Sequence, residues 1–315
     1  MIETFQQALP HGITLSCRAT GEAGRPVLLF LHGFPEAAFV WDALLEHFAC
    51  PEHGGYRCVA PNLRGFERSS APTEVSAYRA KPLLQDLAAL ISAITADSPS
   101  PGQLAALIAH DWGGALAWGL ASSQPGLMRQ LVIVNAPHPA TFQRELAHSP
   151  AQQTASAYMN FLARPDAAAL LAENDFARLW PFFTHMAADS GPTAWLDEAT
   201  RERYRSVWRQ GLSGPCAYYA ASPLRPPTAD DPGAAAVQLP RERVSVKVPT
   251  LVIWGLGDTA LPEALLDGLD TYVNDLRIER VPGATHWIVH EQPGQVASLL
   301  GGFLTPPAQD PHRPA

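Results

Sequence analysis

The stretch AHDWGGALAW, residues 109–118, decides the fold class because it joins a buried strand to a buried helix through a sharp turn. The apolar residues 104–109 are long enough for a strand, and residues 115–121 begin a helix. The spacing matches the G-x-S-x-G nucleophile elbow, which needs small residues two positions before and after its centre, where strand and helix backbones approach closely. Asp111 stands where that motif has serine.

A carboxylate at this turn favours a chemistry different from that of serine. It attacks an ester carbonyl poorly, but it can displace a leaving group at a saturated carbon, which leaves an alkyl ester on the enzyme. Such an enzyme also needs donors for an oxyanion, a base that activates water and an acid that assists the leaving group. The sequence therefore predicts that Asp111 is a nucleophile and that the chain also supplies oxyanion donors, a base and an acid.

Strand-like and helix-like segments alternate on both sides of this turn, which predicts a doubly wound, mostly parallel sheet with crossover helices. The helical segments before the turn are WDALLEHFA (41–49) and KPLLQDLAALISAI (81–94). The strand-like runs of this half are PVLLFLHGFP (26–35), RCVAP (57–61), QLAALIA (103–109) and QLVIVNAP (130–137).

The alternation stops after Pro139 and resumes at the strand VPTLVIWG (248–255), after a proline-rich connection. Between them lie segments of helical character, rich in aromatic residues, which we interpret as an inserted helical cap. The pattern predicts an α/β core, a cap and a disordered tail. The predicted bounds are 1–139 and 226–305 for the core, 140–225 for the cap and 306–315 for the tail.

Composition narrows the partners and the cellular compartment. The formal charge of −8, without a dense Lys/Arg cluster, argues against nucleic acid or a membrane surface and favours a small molecule. The cysteines form no CxxC pair, and neither a signal sequence nor an apolar run of membrane-spanning length is evident, so we expect a cytoplasmic protein. The sequence leaves the oligomeric state open, a homodimer included.

The base and its orienting acid are expected at carboxyl ends of strands, where ligands bind in such sheets. His286 follows the strand-like LRIERV, and Asp258 lies just past TLVIWG. With Asp111 they give the chain order nucleophile, acid, histidine. His290 shares a helix face with His286, but a third ligand is not evident, so we predict neither a metal nor a cofactor.

From about residue 25 to 305, the chain resembles the epoxide hydrolases of the α/β-hydrolase fold. HDWGG is the most selective motif, because it restricts the group mainly to epoxide hydrolases and dehalogenases, whereas HGFP is shared by many α/β hydrolases. The matching motifs, in order, are HGFPE (32–36), NLRGF (62–66) with RSSAP (68–72), HDWGG (110–114), NAPHP (135–139), WGLGD (254–258) and GATHW (283–287).

The resemblance implies roles that the residues alone leave open. The backbone N–H groups of Phe34 and Trp112 would form the oxyanion hole, and Pro35 would follow a cis peptide bond. His32 and Tyr218 would join Pro35 and Trp112 in lining the substrate site.

A second implication concerns the acid, which the residues alone leave open among Tyr158, Tyr204, Tyr218 and Tyr219. The family pattern selects Tyr158, in AYMNFLARP, and Tyr219, the second tyrosine of AYYAASP. The chain departs from many relatives at Ala220, where they have arginine, and at Glu67, where they have glycine. The first departure bears on the choice of Tyr219 over Tyr218.

The resemblance therefore implies an enzyme that converts an epoxide and water into a vicinal diol without a cofactor. The nearest alternative is a haloalkane or haloacetate dehalogenase, in which Trp112 would bind the halide. Phe34 weakens that alternative, since many haloalkane dehalogenases have asparagine there as a second halide donor. A binding protein that kept the fold and lost turnover would lack a triad member, and the sequence contains all three.

Overall fold

The computed structural model describes residues 1–185 and 194–304. In this part of the chain, eight strands form one sheet in the order β1-β2-β4-β3-β5-β6-β7-β8. The two pairs that involve β2 are antiparallel, and all other pairs are parallel. The strands are β1 (Glu3–Ala8), β2 (Thr14–Thr20), β3 (Val27–Leu31), β4 (Arg57–Pro61), β5 (Ala106–His110), β6 (Leu131–Val134), β7 (Thr250–Gly255) and β8 (Leu276–Val281).

The central strands consist of almost continuous apolar runs because helices cover the parallel sheet. Every residue of β3, β5, β6 and β7 is buried. Among the covering helices, α1 (Asp42–Ala49) packs on β4, while α2 (Ala80–Ile94) packs against α3 (Asp111–Ser123), which itself packs on β5 and β6. The prediction of an α/β fold with a doubly wound, mostly parallel sheet is confirmed.

The long connection from β6 to β7 is helical, and its described residues contain no strand. It contains α4 (Pro139–His148), α5 (Pro150–Ala155), α6 (Tyr158–Leu162), α7 (Ala167–Phe176), α8 (Trp180–His185), α9 (Glu198–Trp208), α10 (Ser213–Ala221) and α11 (Arg241–Val244).

One of these helices, α10, approaches the core very closely. A Cβ on Gly214 would lie only 2.5 Å from the Cα atom of Gly65, in the loop after β4.

The last two helices of the described chain are α12 (Ile288–Glu291) and α13 (Pro293–Phe303). The exact bounds of core and cap stay predictions, and the predicted tail, 306–315, lies outside the described residues.

The structure can be compared with two expectations from composition, which concern the cysteines and membrane-spanning segments. All four cysteines are free, and only Cys50 is exposed. Within the described ranges, no helix combines the length and the apolar character that a membrane span requires. The cytoplasmic location and the oligomeric state stay predictions.

Candidate active site

The turn between β5 and α3 holds Asp111 in a conformation that few side chains adopt. Its φ is +49°, in the left-handed region, where a residue other than glycine is strained by roughly 1–3 kcal/mol. The turn is also tight, because a Cβ on Gly113 would lie 2.6 Å from the carbonyl oxygens of Leu31 and His32. The sharp strand-to-helix turn predicted from the spacing is confirmed.

The loop after β3 passes directly over the carboxylate of Asp111. A Cβ on Gly33 would lie 2.2 Å from the Asp111 side chain, so only glycine allows this approach. The next residue, Phe34, donates its backbone N–H to Asp111 Oδ1 at 2.6 Å. The peptide bond between Phe34 and Pro35 is cis, as the resemblance implied. The role of the Trp112 N–H as a second oxyanion donor stays a prediction.

The structure brings together the three residues of the predicted triad. His286 Nδ1 lies 2.7 Å from Asp258 Oδ2, and its Nε2 lies 3.8 Å from Asp111 Oδ2. His286 and Asp258 are buried, and Asp111 is the first residue of α3, directly after β5. One ring nitrogen of His286 thus faces an orienting carboxylate and the other faces the elbow, the arrangement that a water-activating base requires.

Asp258 is fixed by donors to both of its carboxylate oxygens. The N–H groups of Ala260 and Leu261 donate to Oδ1, each at 2.9 Å. Asn135 Nδ2 donates to Oδ2 at 2.8 Å, and the Asn135 side-chain oxygen accepts the N–H of Gly255 at 2.9 Å. Our sequence reasoning passed over Asn135 because its motif contains no acid. Asn135 directly follows β6, and this position at the carboxyl end of a strand could have identified it as a site residue.

Electrostatics at His286 favour the charged ring in the free protein. Burial alone acts to lower the pKa of His286. The charge and hydrogen bond of Asp258, with smaller contributions from the charges of Asp111 and Glu36, outweigh burial and raise this pKa to about 9. Any reaction that removes the charge of Asp111 therefore makes His286 easier to deprotonate.

Tyr158 and Tyr219 lie together among aromatic rings. Their ring centroids are 6.2 Å apart, and the Tyr219 ring contacts Phe34 and Trp112, each at 5.2 Å. Burial raises the pKa of both hydroxyls well above the usual range, and the charge of Asp111 raises them further. Both tyrosines therefore retain their protons at neutral pH.

The indole of Trp112 packs against the Tyr219 ring and opposes the rise in the tyrosine pKa. An indole nitrogen only donates, so it favours the ionised oxygen of Tyr219 and does not compete for the phenolic proton.

Two residues expected at the substrate site, Tyr218 and His32, form hydrogen bonds with neighbouring loops. Tyr218 donates its hydroxyl to the carbonyl oxygen of Arg64 at 2.9 Å, so its polar end is already used. His32 is fully buried, with Nδ1 2.9 Å from the Gly33 carbonyl oxygen and Nε2 accepting the Leu63 N–H at 3.1 Å. The substrate-lining roles of both residues stay predictions, and these hydrogen bonds show how each side chain is held in place. Pro35 and Trp112 stay predictions as substrate contacts.

Glu36 forms a second polar cluster. It is a buried carboxylate at the end of the HGFPE motif, to which the sequence assigned no role. Its oxygens lie 3.0 Å from His110 Nδ1, 2.9 Å from His290 Nε2 and 3.2 Å from the Tyr204 hydroxyl. Burial opposes ionisation of Glu36, but the hydrogen bonds of the two histidines lower its pKa below the usual range. The other ring nitrogen of His110 lies 2.9 Å from the carbonyl oxygen of His286, which connects this cluster to the triad.

His290 therefore contacts Glu36, which gives it a role other than the metal pair we had considered. Across residues 1–185 and 194–304, no group of three or more His, Cys, Asp or Glu residues is arranged to hold a metal ion. Tyr204, one of the four tyrosines considered as the acid, likewise belongs to the Glu36 cluster and not to the rings around Asp111.

Comparison with known proteins gives a consistent result. A family model described as alpha/beta hydrolase fold matches residues 26–293. The AB hydrolase superfamily protein YfhM of Bacillus subtilis (strain 168) is 32% identical, over 93% of this chain and 95% of that protein. Epoxide hydrolase 3 of Xenopus tropicalis is 31% identical, over 93% of this chain and 75% of that protein.

A solved structure agrees with these relatives. It belongs to the novel epoxide hydrolases of the alpha/beta hydrolases superfamily found in metagenomes from hot environments. It is 35% identical to this chain, with a TM-score of 0.83, and the match covers 97% of this chain and 99% of that one.

Proposed function

We propose, from the premise that this chain belongs to the epoxide hydrolase family of α/β-hydrolase fold proteins, that it converts an epoxide and water into a vicinal diol. The observation that carries this proposal is the grouping of two buried phenols, Tyr158 and Tyr219, beside Phe34, whose N–H binds the elbow carboxylate Asp111. An epoxide oxygen stays attached to carbon after ring opening and needs a proton, which a phenol supplies.

In the first step, Asp111 attacks an epoxide carbon, and the carbon–oxygen bond of the ring breaks. Tyr158 and Tyr219 hold the epoxide oxygen and deliver a proton to it, so that the product of this step is a hydroxyalkyl ester of Asp111. The raised pKa values of both tyrosines suit this role, because the acids remain protonated until the alkoxide develops.

In the second step, His286 removes a proton from a water molecule that attacks the ester carbonyl of Asp111. Alkylation has removed the negative charge of Asp111, which was one of the causes that raised the pKa of His286. The histidine therefore loses its own proton more easily in the ester than in the free enzyme, and the neutral ring can then accept a proton from water. Asp258 stabilises the imidazolium that forms, and the Phe34 N–H receives the oxyanion. Collapse of this intermediate breaks the bond between the carbonyl carbon and the diol oxygen, which takes its proton from His286. The second proton of the water returns to the tyrosine that protonated the epoxide, and the Asp111 carboxylate is regenerated.

The partners that follow from this chemistry are a small epoxide and water. We also place the enzyme in the cytoplasm, a proposal that the four free cysteines support. A dehalogenase would use the indole N–H of Trp112 for a departing halide, but here that ring packs against Tyr219, a phenol that suits an epoxide oxygen.

The decisive experiment is a panel of epoxides and matched bromoalkanes, scored for diol and for bromide release. We expect steady turnover of styrene oxide, with bromide release slower by at least about 10²-fold, the scale of one well-placed acid. Bromide release as fast as diol formation would assign the protein to the dehalogenases.

A further inference from the structure

The loop that bears the oxyanion donor is tied to the cap by side chains of α9. Trp208 donates its indole N–H to the carbonyl oxygen of Pro35 at 2.7 Å, and the bond is buried. Tyr204, four residues earlier on the same helix face, contacts Glu36 through its hydroxyl at 3.2 Å. Both contacts fall on the residues that directly follow Phe34.

We infer that Trp208 is a positioning residue, which holds the Phe34 N–H against the nucleophile through its hydrogen bond to Pro35. This role rests on the proposed function, because it concerns the oxyanion that forms when the Asp111 ester is hydrolysed. Trp208 belongs to the cap and acts only through the loop, so it needs no contact with the substrate.

The hydrogen bond matters because it restrains the loop at Pro35, between Phe34 and the Glu36 side chain that His110 and His290 hold. Pro35 has no N–H, so its carbonyl is its one backbone group for hydrogen bonding, and a buried carbonyl needs a partner. Within the loop, the Glu36 N–H donates to the Gly33 carbonyl oxygen at 3.1 Å, which closes the turn on itself. The restraint at Pro35 comes from outside the core, from Trp208.

Trp208 is itself firmly held, as a positioning residue must be. Only 3% of its surface is exposed. Its ring packs against Trp180 at 4.7 Å, Phe176 at 5.4 Å and Tyr204 at 5.5 Å between centroids. The indole N–H therefore has a fixed direction, and loss of that N–H alone leaves the packing in place.

The two half-reactions should respond differently to a displaced Phe34 N–H. During alkylation, the negative charge of Asp111 disperses, so weaker stabilisation of the carboxylate does not slow attack. During hydrolysis, charge accumulates on the oxygen that Phe34 faces, and removal of one such donor typically costs about 10²–10³-fold. A donor that is displaced but not removed should cost less, about 10-fold, and only in the second half-reaction.

The test is Trp208→Phe, which keeps an aromatic ring and removes the indole N–H. The matched control is Trp180→Phe, in the same aromatic cluster, whose indole N–H donates to the Asp175 carbonyl oxygen within the cap at 3.3 Å. Alkylation and hydrolysis of a styrene oxide ester are followed by rapid quench and intact mass, alongside thermal unfolding. We expect the ester to accumulate in Trp208→Phe and not in Trp180→Phe.

The design separates this inference from the proposed function. Diol formation by the wild-type enzyme tests the function itself. With that established, equal slowing of both half-reactions, or equal behaviour of the two tryptophan variants, overturns the positioning role. If Trp208→Phe does not fold, replacement of Trp208 by 3-benzothienylalanine keeps the bicyclic ring and removes only the N–H, and unchanged ester hydrolysis in that protein overturns the role as well.

Discussion

The two halves of the active site are held in place by different means. The triad residues follow β5, β7 and β8, and short hydrogen bonds fix them, as at His286 and Asp258, 2.7 Å apart. Tyr158 and Tyr219 lie on α6 and α10, where aromatic rings surround them at 5–6 Å centroid distances. The sheet thus positions the groups that carry charge, and the cap positions neutral acids by packing. Variants of the core should accordingly have the larger effects.

The largest effect is expected for His286→Ala. This variant keeps Asp111 and the tyrosines, so the epoxide still opens, but no base activates water for the ester. Diol formation should fall by about 10⁴-fold or more, the scale at which single triad members act. Intact mass after incubation with styrene oxide should show one adduct, located on Asp111 by peptide mapping.

The control for this measurement is Asp111→Ala, which should be inactive and free of the adduct. An inactive Asp111→Ala combined with an adduct-free His286→Ala would mean that water attacks the epoxide directly. The core residues would then activate water for direct attack on the epoxide, and no ester of Asp111 would form.

A second core variant, Asp258→Asn, tests how the charge of Asp258 sets the pKa of His286. Asp258 contributes the leading effects that raise the pKa of His286 to about 9 against burial, so its loss should leave burial dominant. The pKa of His286, followed by NMR, should fall by two units or more, about 10²-fold in proton affinity. A pKa that stays near 9 would assign the shift to Asp111 and Glu36.

The same shift has a consequence for stability. The folded pKa of His286 lies above the unfolded value of about 6.5, so protonation stabilises the fold fully below that pH. This contribution is lost as the pH rises through about 9. Denaturant unfolding of the wild type at pH 6 and pH 9.5 should show this loss, and Asp258→Asn should lack most of it.

The same contrast explains what the sequence predicted and what it did not. Asp111, Asp258 and His286 follow strands, and strand ends of a parallel sheet meet at one edge, so their assembly is predictable from local pattern. Glu36 and Asn135 also lie at that edge. Their roles were missed because they depend on which loop passes over which strand, and side-chain spacing carries no such information.

In the cap, spacing alone did not distinguish the four tyrosines, since each lies in a helical stretch rich in aromatic residues. The choice came from resemblance, and the structure gives the excluded pair other partners, Arg64 for Tyr218 and Glu36 for Tyr204. In the core, the substrate-lining role of His32 stays a prediction. Its position before a glycine-containing loop did not reveal that its ring also hydrogen-bonds to Gly33 and Leu63.

An intermediate effect is expected for the cap acids. Tyr158→Phe and Tyr219→Phe keep the rings and remove only the hydroxyls, so packing is preserved and each variant lacks one proton donor. The alkylation rate should fall by roughly 10-fold or more in each. Tyr218→Phe is the matched control, because its hydroxyl is bonded to Arg64, and it should stay close to the wild-type alkylation rate. A larger loss in Tyr218→Phe than in Tyr219→Phe would exchange their roles.

The smallest effect is expected at Trp112, where the two halves meet. It directly follows the nucleophile in α3, and its indole packs against Tyr219 in the cap. Trp112→Phe keeps the backbone N–H and a ring against Tyr219, and it removes the indole N–H that opposes the rise in the Tyr219 pKa. Loss of one neutral donor, worth about 1 kcal/mol, corresponds to a few-fold slower alkylation, less than in Tyr158→Phe. Single-turnover rates with styrene oxide measure the difference. If Trp112→Phe slows alkylation as much as Tyr219→Phe, the indole and the phenol act as one unit, and the boundary between a charge-bearing core and a packed cap does not hold at this residue.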